Sequence, residues 1–285
     1  MSRIVLKSPA KLNLYLKVKN KRPDGYHNIV TLFERINLCD DIRFESNTTG
    51  KIRIFCDQKD VPTGPKNLIY KVAAALKNDF AIREGVTVWI KKRIPVAAGL
   101  AGGSSNAATA LIGLNRLWKL KLSQKTLLKY ARQVGSDVAF FLYDTPWAVG
   151  TQRGDCIKPL KINTKLWHVV VVPKVKMYSW KVYGGLKLQL TKKSDNVTIL
   201  IRHLKNNNIR GVGKRLKNDL QAEIIRLCPR LLVLKEELKS LHSQGVMISG
   251  SGPAVFGLAE NKQHAQQIKS HFAAKFSRVF DVRTV

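Results

Sequence analysis

The sequence predicts an α+β protein built in two layers and organised as two domains. Three observations carry this. Segments rich in Val, Ile and Leu alternate with segments of helical period in both halves of the chain. At 285 residues the chain can bury a sizeable core without disulfide or metal staples, and it suits one large domain or two small ones. Two short strand-like stretches, 147–151 and 157–160, flank Arg153-Gly-Asp155 in mid-chain, so the boundary is placed there, giving 1–155 and 156–285.

The elements follow in order. Residues 3–18 alternate in hydropathy and read as one or two strands, broken near Ser8-Pro9. Residues 41–46 and 51–56 read as a strand pair around Asn47-Thr-Thr-Gly50. Asn67 can cap a helix that reaches about Phe80, with Leu68, Val72, Ala75 and Leu76 on one face. Residues 85–91 return as a strand. A run of small residues, Ala97-Ala-Gly-Leu-Ala-Gly-Gly-Ser-Ser105, then opens a helix ending near Trp118, and a further helix fits 123–134. In Gly135-Ser-Asp-Val-Ala-Phe-Phe-Leu142, Ser136 is placed to cap a short helical turn. Beyond the boundary, strands are expected at 167–172, 246–249, 255–259 and 278–282. Helices are expected at about 179–188, 196–206, 214–227, 230–242 and 262–275. Residues 191–196 and Asn206-Asn-Asn208 read as exposed loops, and no internal repeat is visible.

Composition narrows the function classes. Lys and Arg outnumber Asp and Glu by 50 to 19, a formal charge of +31. That excess invites a nucleic-acid reading. It is spread evenly, however, at +14 in residues 1–150 and +17 in 151–285, with no basic tail and no recognised binding motif, so a Lys-rich solvated surface is the better reading. The cysteines at 39, 56, 156 and 228 form no CxxC and have no His at zinc-ligand spacing. They read as small buried residues in a reducing compartment. No apolar run approaches the roughly 20 residues of a membrane span, and the N-terminus lacks the apolar core of a signal peptide, so a cytoplasmic protein is expected.

The chemistry concentrates in Pro95-Val-Ala-Ala-Gly-Leu-Ala-Gly-Gly-Ser-Ser-Asn106, which follows a strand and opens a helix. Glycines allow close approach of the backbone to a ligand. A helix start presents unpaired N–H groups and partial positive charge, which suit phosphate oxygens. Ser104 and Ser105 add hydroxyls for phosphate or magnesium. The plain alternative is a helix cap with a flexible approach, and the density of small residues favours phosphate binding. The Walker pattern GxxxxGK[ST] is absent, as are the HRD and DFG signatures of protein kinases.

The loop instead resembles the Pro-x-x-x-Gly-Leu-x-x-Ser-Ser signature of the GHMP small-molecule kinase superfamily. Two further stretches are similar to that superfamily's other motifs: Ser8-Pro-Ala-Lys-Leu-Asn-Leu14 near the start, and Ile248-Ser-Gly-Ser-Gly-Pro-Ala254, a strand entering a tight turn suited to packing on the phosphate loop. Within the superfamily, Lys21-Arg-Pro-Asp-Gly-Tyr-His27 resembles the isoprenoid-pathway branch whose acceptor is a cytidine diphosphate alcohol. Asn67-Leu-Ile69, Gly135-Ser-Asp137, Arg153-Gly-Asp155 and Asn218-Asp-Leu220 match as well, so the resemblance covers nearly the whole chain.

The resemblance implies a two-domain GHMP kinase fold with its active site in the inter-domain cleft, and phosphoryl transfer from ATP to the 2-hydroxyl of the acceptor. Lys11 and Asp137 match the catalytic pair. The chemistry asks for such a pair, because an acceptor must take the hydroxyl proton and positive charge must face the transferring phosphoryl group. By the same resemblance, Pro95, Val96, Ala97, Ala98, Gly99, Leu100, Ala101, Gly102, Gly103, Ser104 and Ser105 wrap the ATP phosphates, and Asn67 approaches the adenine. Asn13 contacts the acceptor, His27 reads cytosine with Tyr26 as a wall, and Tyr183 stacks on the base. Read without the resemblance, Asn67 is a plain helix cap, Tyr26-His27 a turn exit and Tyr183 a helix residue packed on the core. Mg2+ is expected to be held mainly through the ATP phosphates, with no protein metal ligand. A monomer or weak homodimer is expected.

Two departures stand out. Ala97, Ala98 and Ala101 replace glycines found in some members and fit readily only at negative φ. Asp155 stands where Glu is common. The alternatives are another GHMP kinase, of mevalonate or homoserine type, against which Lys21–His27 argues, and a nucleic-acid-binding module on an inactivated kinase fold, supported by charge alone.

Overall fold

A computed structural model describes residues 2–186 and 196–285. The end of the helix expected at 179–188 and most of the loop expected at 191–196 lie outside the described residues. The chain forms β1 (Arg3–Lys21), β2 (His27–Asn47), β3 (Ile52–Cys56), α1 (Leu68–Asp79), β4 (Gly85–Lys91), α2 (Gly102–Leu117) and α3 (Gln124–Val134). A 3-10 turn at Ala139–Leu142 precedes β5 (Trp147–Gln152), β6 (Cys156–Pro159) and β7 (Trp167–Val171). Then come α4 (Ser179–Gly184), α5 (Val197–Lys205), α6 (Ile209–Lys214), β8 (Lys217–Asn218), α7 (Gln221–Leu227) and α8 (Arg230–Ser240). The chain closes with β9 (Gly245–Ile248), β10 (Val255–Ala259), α9 (Lys262–Ala273) and β11 (Val279–Arg283).

These elements condense into two compact units that interleave along the chain. One comprises Met1–Ala10, Leu38–Val96 and Ala101–Asp144; the other comprises Lys11–Asn37, Ala97–Leu100 and Thr145–Val285. In the first, β4 lies between β3 and β2, parallel to β3 and antiparallel to β2. The expected pairing of 41–46 with 51–56 is therefore corrected: the hydrophobic patterns of both segments were legible, but β4 arrives later in sequence and takes the place between them. α2 packs closely on β2, because Gly113 leaves no room for a side chain beside the Phe44 ring, 2.8 Å from where a Cβ would sit. Burying each large side chain such as Phe44 or Leu111 contributes about 1.5–3 kcal/mol.

In the second unit a four-stranded sheet has the order β11-β7-β10-β9, and its neighbours pair antiparallel. Its core gathers Val169, Val171, Leu220, Ile224, Leu238, Ile248 and Phe272. A buried polar chain runs through the same unit: His168 Nε2 meets Glu34 Oε2 at 2.8 Å, and the Thr284 hydroxyl donates to Glu34 Oε1 at 2.6 Å.

Several local expectations hold. Asn67 caps α1 by accepting from the Ile69 N–H at 2.8 Å, α3 falls within the expected 123–134 with Ser123 as its cap, and β4 and β10 have the expected bounds. Asn206-Asn-Asn208 is exposed, with Asn208 capping α6. Others are corrected. β1 runs unbroken through Ser8-Pro9. The buried stripe of α1 is Ile69, Val72, Ala73 and Leu76, rotated from the expected one. Ser136 does not cap the 3-10 turn, which starts after Val138 without a side-chain cap. The helix expected at 214–227 is divided, because Lys217 and Asn218 pair with Tyr15 and Leu16 of β1, and α6 precedes them. The four cysteines are free thiols, half-buried rather than buried. Cys39 alternates with buried Leu38 and Asp40 along β2, so its side chain faces the other way. Among the described residues no helix is long and apolar enough to cross a membrane.

Candidate active site

Lys11 is the focus of the site geometry. It lies on β1 with 3% of its surface exposed. Its Nζ donates to Asn13 Oδ1 and, at 2.9 Å, to the carbonyl of Gly99. Its backbone N–H donates to the Leu100 carbonyl at 3.1 Å. A Cβ placed on Gly250, where φ is +53°, would fall 3.0 Å from Asn13 Oδ1, 3.1 Å from Lys11 Nζ and 3.2 Å from the Gly99 carbonyl. Three sequence motifs thus meet around one ammonium: the N-terminal strand, the small-residue loop and the late Gly-rich turn.

That turn is itself held in place. Asn218 Nδ2 donates to the carbonyls of Ile248 and Gly250, both at 2.8 Å. The Ser249 hydroxyl donates to the Gly99 carbonyl at 3.1 Å, and the peptide between Gly252 and Pro253 is cis. The Asn13 amide is used at both ends, since its Nδ2 donates to Thr31 Oγ1 at 2.7 Å.

The small-residue loop is pinned by its carbonyls. That of Ala97 accepts from the Met177 N–H at 3.3 Å and that of Ala98 from the Ala254 N–H at 3.1 Å, while Gly99 and Leu100 serve Lys11 and Ser249. In a planar trans peptide the next residue's N–H points opposite to the carbonyl. The N–H groups of Ala98, Gly99, Leu100 and Ala101 therefore point away from these partners. Ala101, with φ at +55°, leads into α2 and gives no side-chain cap to the first N–H groups of the helix. Gly103 is exposed, Ser104 half-buried and Ser105 fully buried, its hydroxyl bonded by that of Ser8 at 2.8 Å. Ala97 also has positive φ, at +53°. Two of the three alanine substitutions thus occupy the left-handed region, against the expectation of negative angles, and Ala98 does not.

Asp137 is half-buried in the turn between α3 and the 3-10 turn. That turn abuts α2, with a Cβ on Gly135 lying 4.0 Å from Ser104 Oγ. Asn67 sits 7% exposed with both ends of its amide engaged, accepting from the Ile69 N–H and donating to the Pro62 carbonyl at 2.6 Å.

His27 and Tyr183 form a separate aromatic pair, with Tyr26 next to His27 in the chain. The His27 and Tyr183 rings stack with centroids 5.3 Å apart and 29° between planes. Tyr26 is 52% exposed, and the Arg153 guanidinium lies 5.0 Å from its ring centroid. Asp155 grips Arg153 through Nη2 at 2.6 Å and Nε at 3.2 Å, so Asp in place of Glu still forms the pair. Burial, reinforced by Lys21, lowers the His27 pKa below the ordinary histidine value. Thr31 carried no signal in the sequence, and Arg153 was visible only as part of Arg153-Gly-Asp155; the ring that Arg153 meets and the amide that Thr31 takes arrive through tertiary contact.

Residues 67–145 match the family described as GHMP kinases N terminal domain, and residues 200–278 match GHMP kinases C terminal. A 4-diphosphocytidyl-2-C-methyl-D-erythritol kinase from Shouchella clausii is 38% identical over 280 residues, covering 98% of this chain and 94% of the relative. A crystal structure of 4-(cytidine 5'-diphospho)-2C-methyl-D-erythritol kinase superposes with a TM-score of 0.84 at 31% identity, covering 99% of this chain and 100% of that one. A homoserine kinase from Cytophaga hutchinsonii shares the fold, with a TM-score of 0.77, at 20% identity over 100% of this chain and 95% of its own. With near-full coverage at that identity and both GHMP regions present, the chain belongs to the 4-diphosphocytidyl-2-C-methyl-D-erythritol kinase family of the GHMP kinases.

Proposed function

We propose that this protein transfers the γ-phosphoryl group of ATP to the 2-hydroxyl of 4-diphosphocytidyl-2-C-methyl-D-erythritol, a step of non-mevalonate isoprenoid synthesis. The observation that carries the reading is the convergence on Lys11 Nζ of Asn13, the Gly99 carbonyl and the Gly250 turn, beside a loop whose carbonyls are tied back. The N–H groups of residues 98–101 serve as donors for phosphate oxygens, and so do those at the head of α2, which has no side-chain cap. Residues 95–105 serve as the nucleotide loop, with Asn67 near the adenine. Lys11 supplies fixed positive charge to the phosphoryl group in flight. Asp137 accepts the proton of the attacking hydroxyl. Asn13 orients the acceptor. Tyr26 and Tyr183 enclose its base, and neutral His27 offers one ring nitrogen as donor and one as acceptor.

Among the described residues no three His, Cys, Asp or Glu side chains converge as a metal cage. That donor set suits Mg2+ held by nucleotide phosphate oxygens, with the Ser104 hydroxyl as a further ligand, and the ion would neutralise phosphate charge. Free thiols support a reducing cytoplasm. The two family matches fall on either side of residue 155, which supports reading 1–155 and 156–285 as the functional halves. Monomeric or weakly dimeric behaviour completes the proposal.

A coupled ADP-release assay with the cytidine diphosphate alcohol, mevalonate and homoserine tests the reaction. Turnover with the first alone is expected; turnover with either of the others alone would overturn the assignment. Asp137→Asn is expected to lower kcat by about 10²–10⁴ while ATP binding, followed by a fluorescent analogue, is retained. Undiminished turnover removes Asp137 from the mechanism.

A further inference from the structure

Asp40 lies on β2 in register with Leu38, Ile42 and Phe44, all buried, where alternation calls for another apolar side chain. Its carboxylate is 0% exposed and accepts four hydrogen bonds. Oδ1 takes the backbone N–H groups of Arg93 and Ile94, each at 2.8 Å. Oδ2 takes Lys92 Nζ and, at 2.8 Å, Asn106 Nδ2. The same Asn106 amide donates to Ser8 Oγ at 2.9 Å, and the Ser8 hydroxyl donates to Ser105 Oγ at 2.8 Å.

These donors come from two places, and the phosphate loop runs between them. Lys92, Arg93 and Ile94 immediately precede Pro95; Ser105 and Asn106 belong to the first turns of α2. One carboxylate therefore ties down both ends of the loop. It also settles a charge problem. Lys92 Nζ approaches the helix start so closely that a Cβ on Gly102 would lie 2.8 Å away. A cation there opposes the helix dipole. Asp40 neutralises it, which leaves the head of α2 attractive to an anion from outside. A buried ion pair is a weak source of stability compared with apolar packing, so a role in the geometry of the loop accounts better for an acid in this register.

We infer that Asp40 is a positioning residue for the nucleotide. It holds the phosphate loop in its receiving geometry through Lys92, the 93–94 backbone and Asn106, without contacting the nucleotide itself. The inference rests on the reading of residues 95–105 as the ATP loop.

The test is kinetic. Asp40→Asn keeps the size of the side chain and one acceptor oxygen, but turns an NH2 toward Lys92 and Asn106. Below the variant's unfolding temperature, the KM and Kd for ATP are expected to rise about tenfold or more, while the acceptor KM stays within about twofold. Ser8→Ala removes one acceptor of the Asn106 amide without unpairing a charge, and is expected to raise the ATP KM about two- to fivefold with the acceptor KM unchanged. It decides the matter if Asp40→Asn does not fold. An unchanged ATP KM in folded Asp40→Asn or in Ser8→Ala, or a parallel rise of both KM values, overturns the inference. Wild-type protein that neither binds ATP nor turns over would instead overturn the reading of the loop.

Discussion

The small-residue loop, proposed to receive the nucleotide phosphates, and the turn bearing Tyr26 and His27, proposed to read the base, are built in opposite ways. In the loop four consecutive carbonyls, from Ala97 to Leu100, are fastened to buried or backbone partners, and the groups proposed to meet a ligand are N–H groups of the main chain. In the turn, the groups proposed to recognise a base are side chains: an exposed Tyr26 backed by Arg153, and a His27–Tyr183 stack. The turn is closed by its own local bonds, Arg22 N–H to the Tyr26 carbonyl at 2.8 Å and Gly25 N–H to the Arg22 carbonyl at 3.1 Å. The difference follows from the two chemistries. Phosphate oxygens are met by fixed dipoles whose direction must not drift. A base is met by π-faces and a ring that can donate or accept, and these tolerate small adjustments.

The contrast breaks most visibly at glycine. Both Gly99 and Gly25 have positive φ, at +78° and +82°. A Cβ on Gly99 would sit 2.1 Å from the Ser249 carbonyl oxygen, whereas one on Gly25 meets nothing within 4 Å. Gly99→Ala is expected to cost roughly 3 kcal/mol or more of unfolding free energy in urea, from left-handed strain plus backbone overlap, and Gly25→Ala only about 1 kcal/mol. Equal costs would show that the loop is no more constrained than the turn.

Tyr183→Ala removes one stacking face, so the acceptor KM should rise about 10- to 100-fold with the ATP KM unchanged. A rise in both would mean that the aromatic group supports the fold rather than the base. The pH response should be confined to the same side. His27 has a folded-state pKa below its unfolded value of about 6.5. The unfolded chain takes that proton first, so His27's contribution to stability is complete above about pH 6.5 and declines below it. The acceptor KM should stay flat from pH 8 to about 6.5 and rise only as pH falls through the lowered pKa, while the ATP KM does not follow. The smallest effect tests the alanines. Ala97→Gly trades relief of left-handed strain against added chain entropy and should change stability by less than about 0.5 kcal/mol, whereas Ala98→Gly, at ordinary φ, should cost about 1 kcal/mol.

How much of this was legible in the sequence depends on the range of the interaction. The cap at Asn67, the helix at 123–134 and most strands of the second half are local events, set by periodicity and by side chains that bond N–H groups two or three residues away. Asp40 carried a signal that alternation could have shown, a lone acid in the buried register of Leu38, Ile42 and Phe44. Thr31 and Asn218 carried none that named their partners.

From the sequence alone came the small-residue loop, the residue types of the site and the order of most elements. Tertiary structure decided which strands pair, placing β4 between β2 and β3 and drawing Lys217 and Asn218 out of an expected helix to lie beside β1. It also decided that Lys11, Gly99 and Gly250, scattered along the chain, share one cluster of hydrogen bonds and close contacts. Periodicity reports which face of a segment avoids water, but the partner that covers that face is chosen by packing and hydrogen-bond satisfaction across the whole fold.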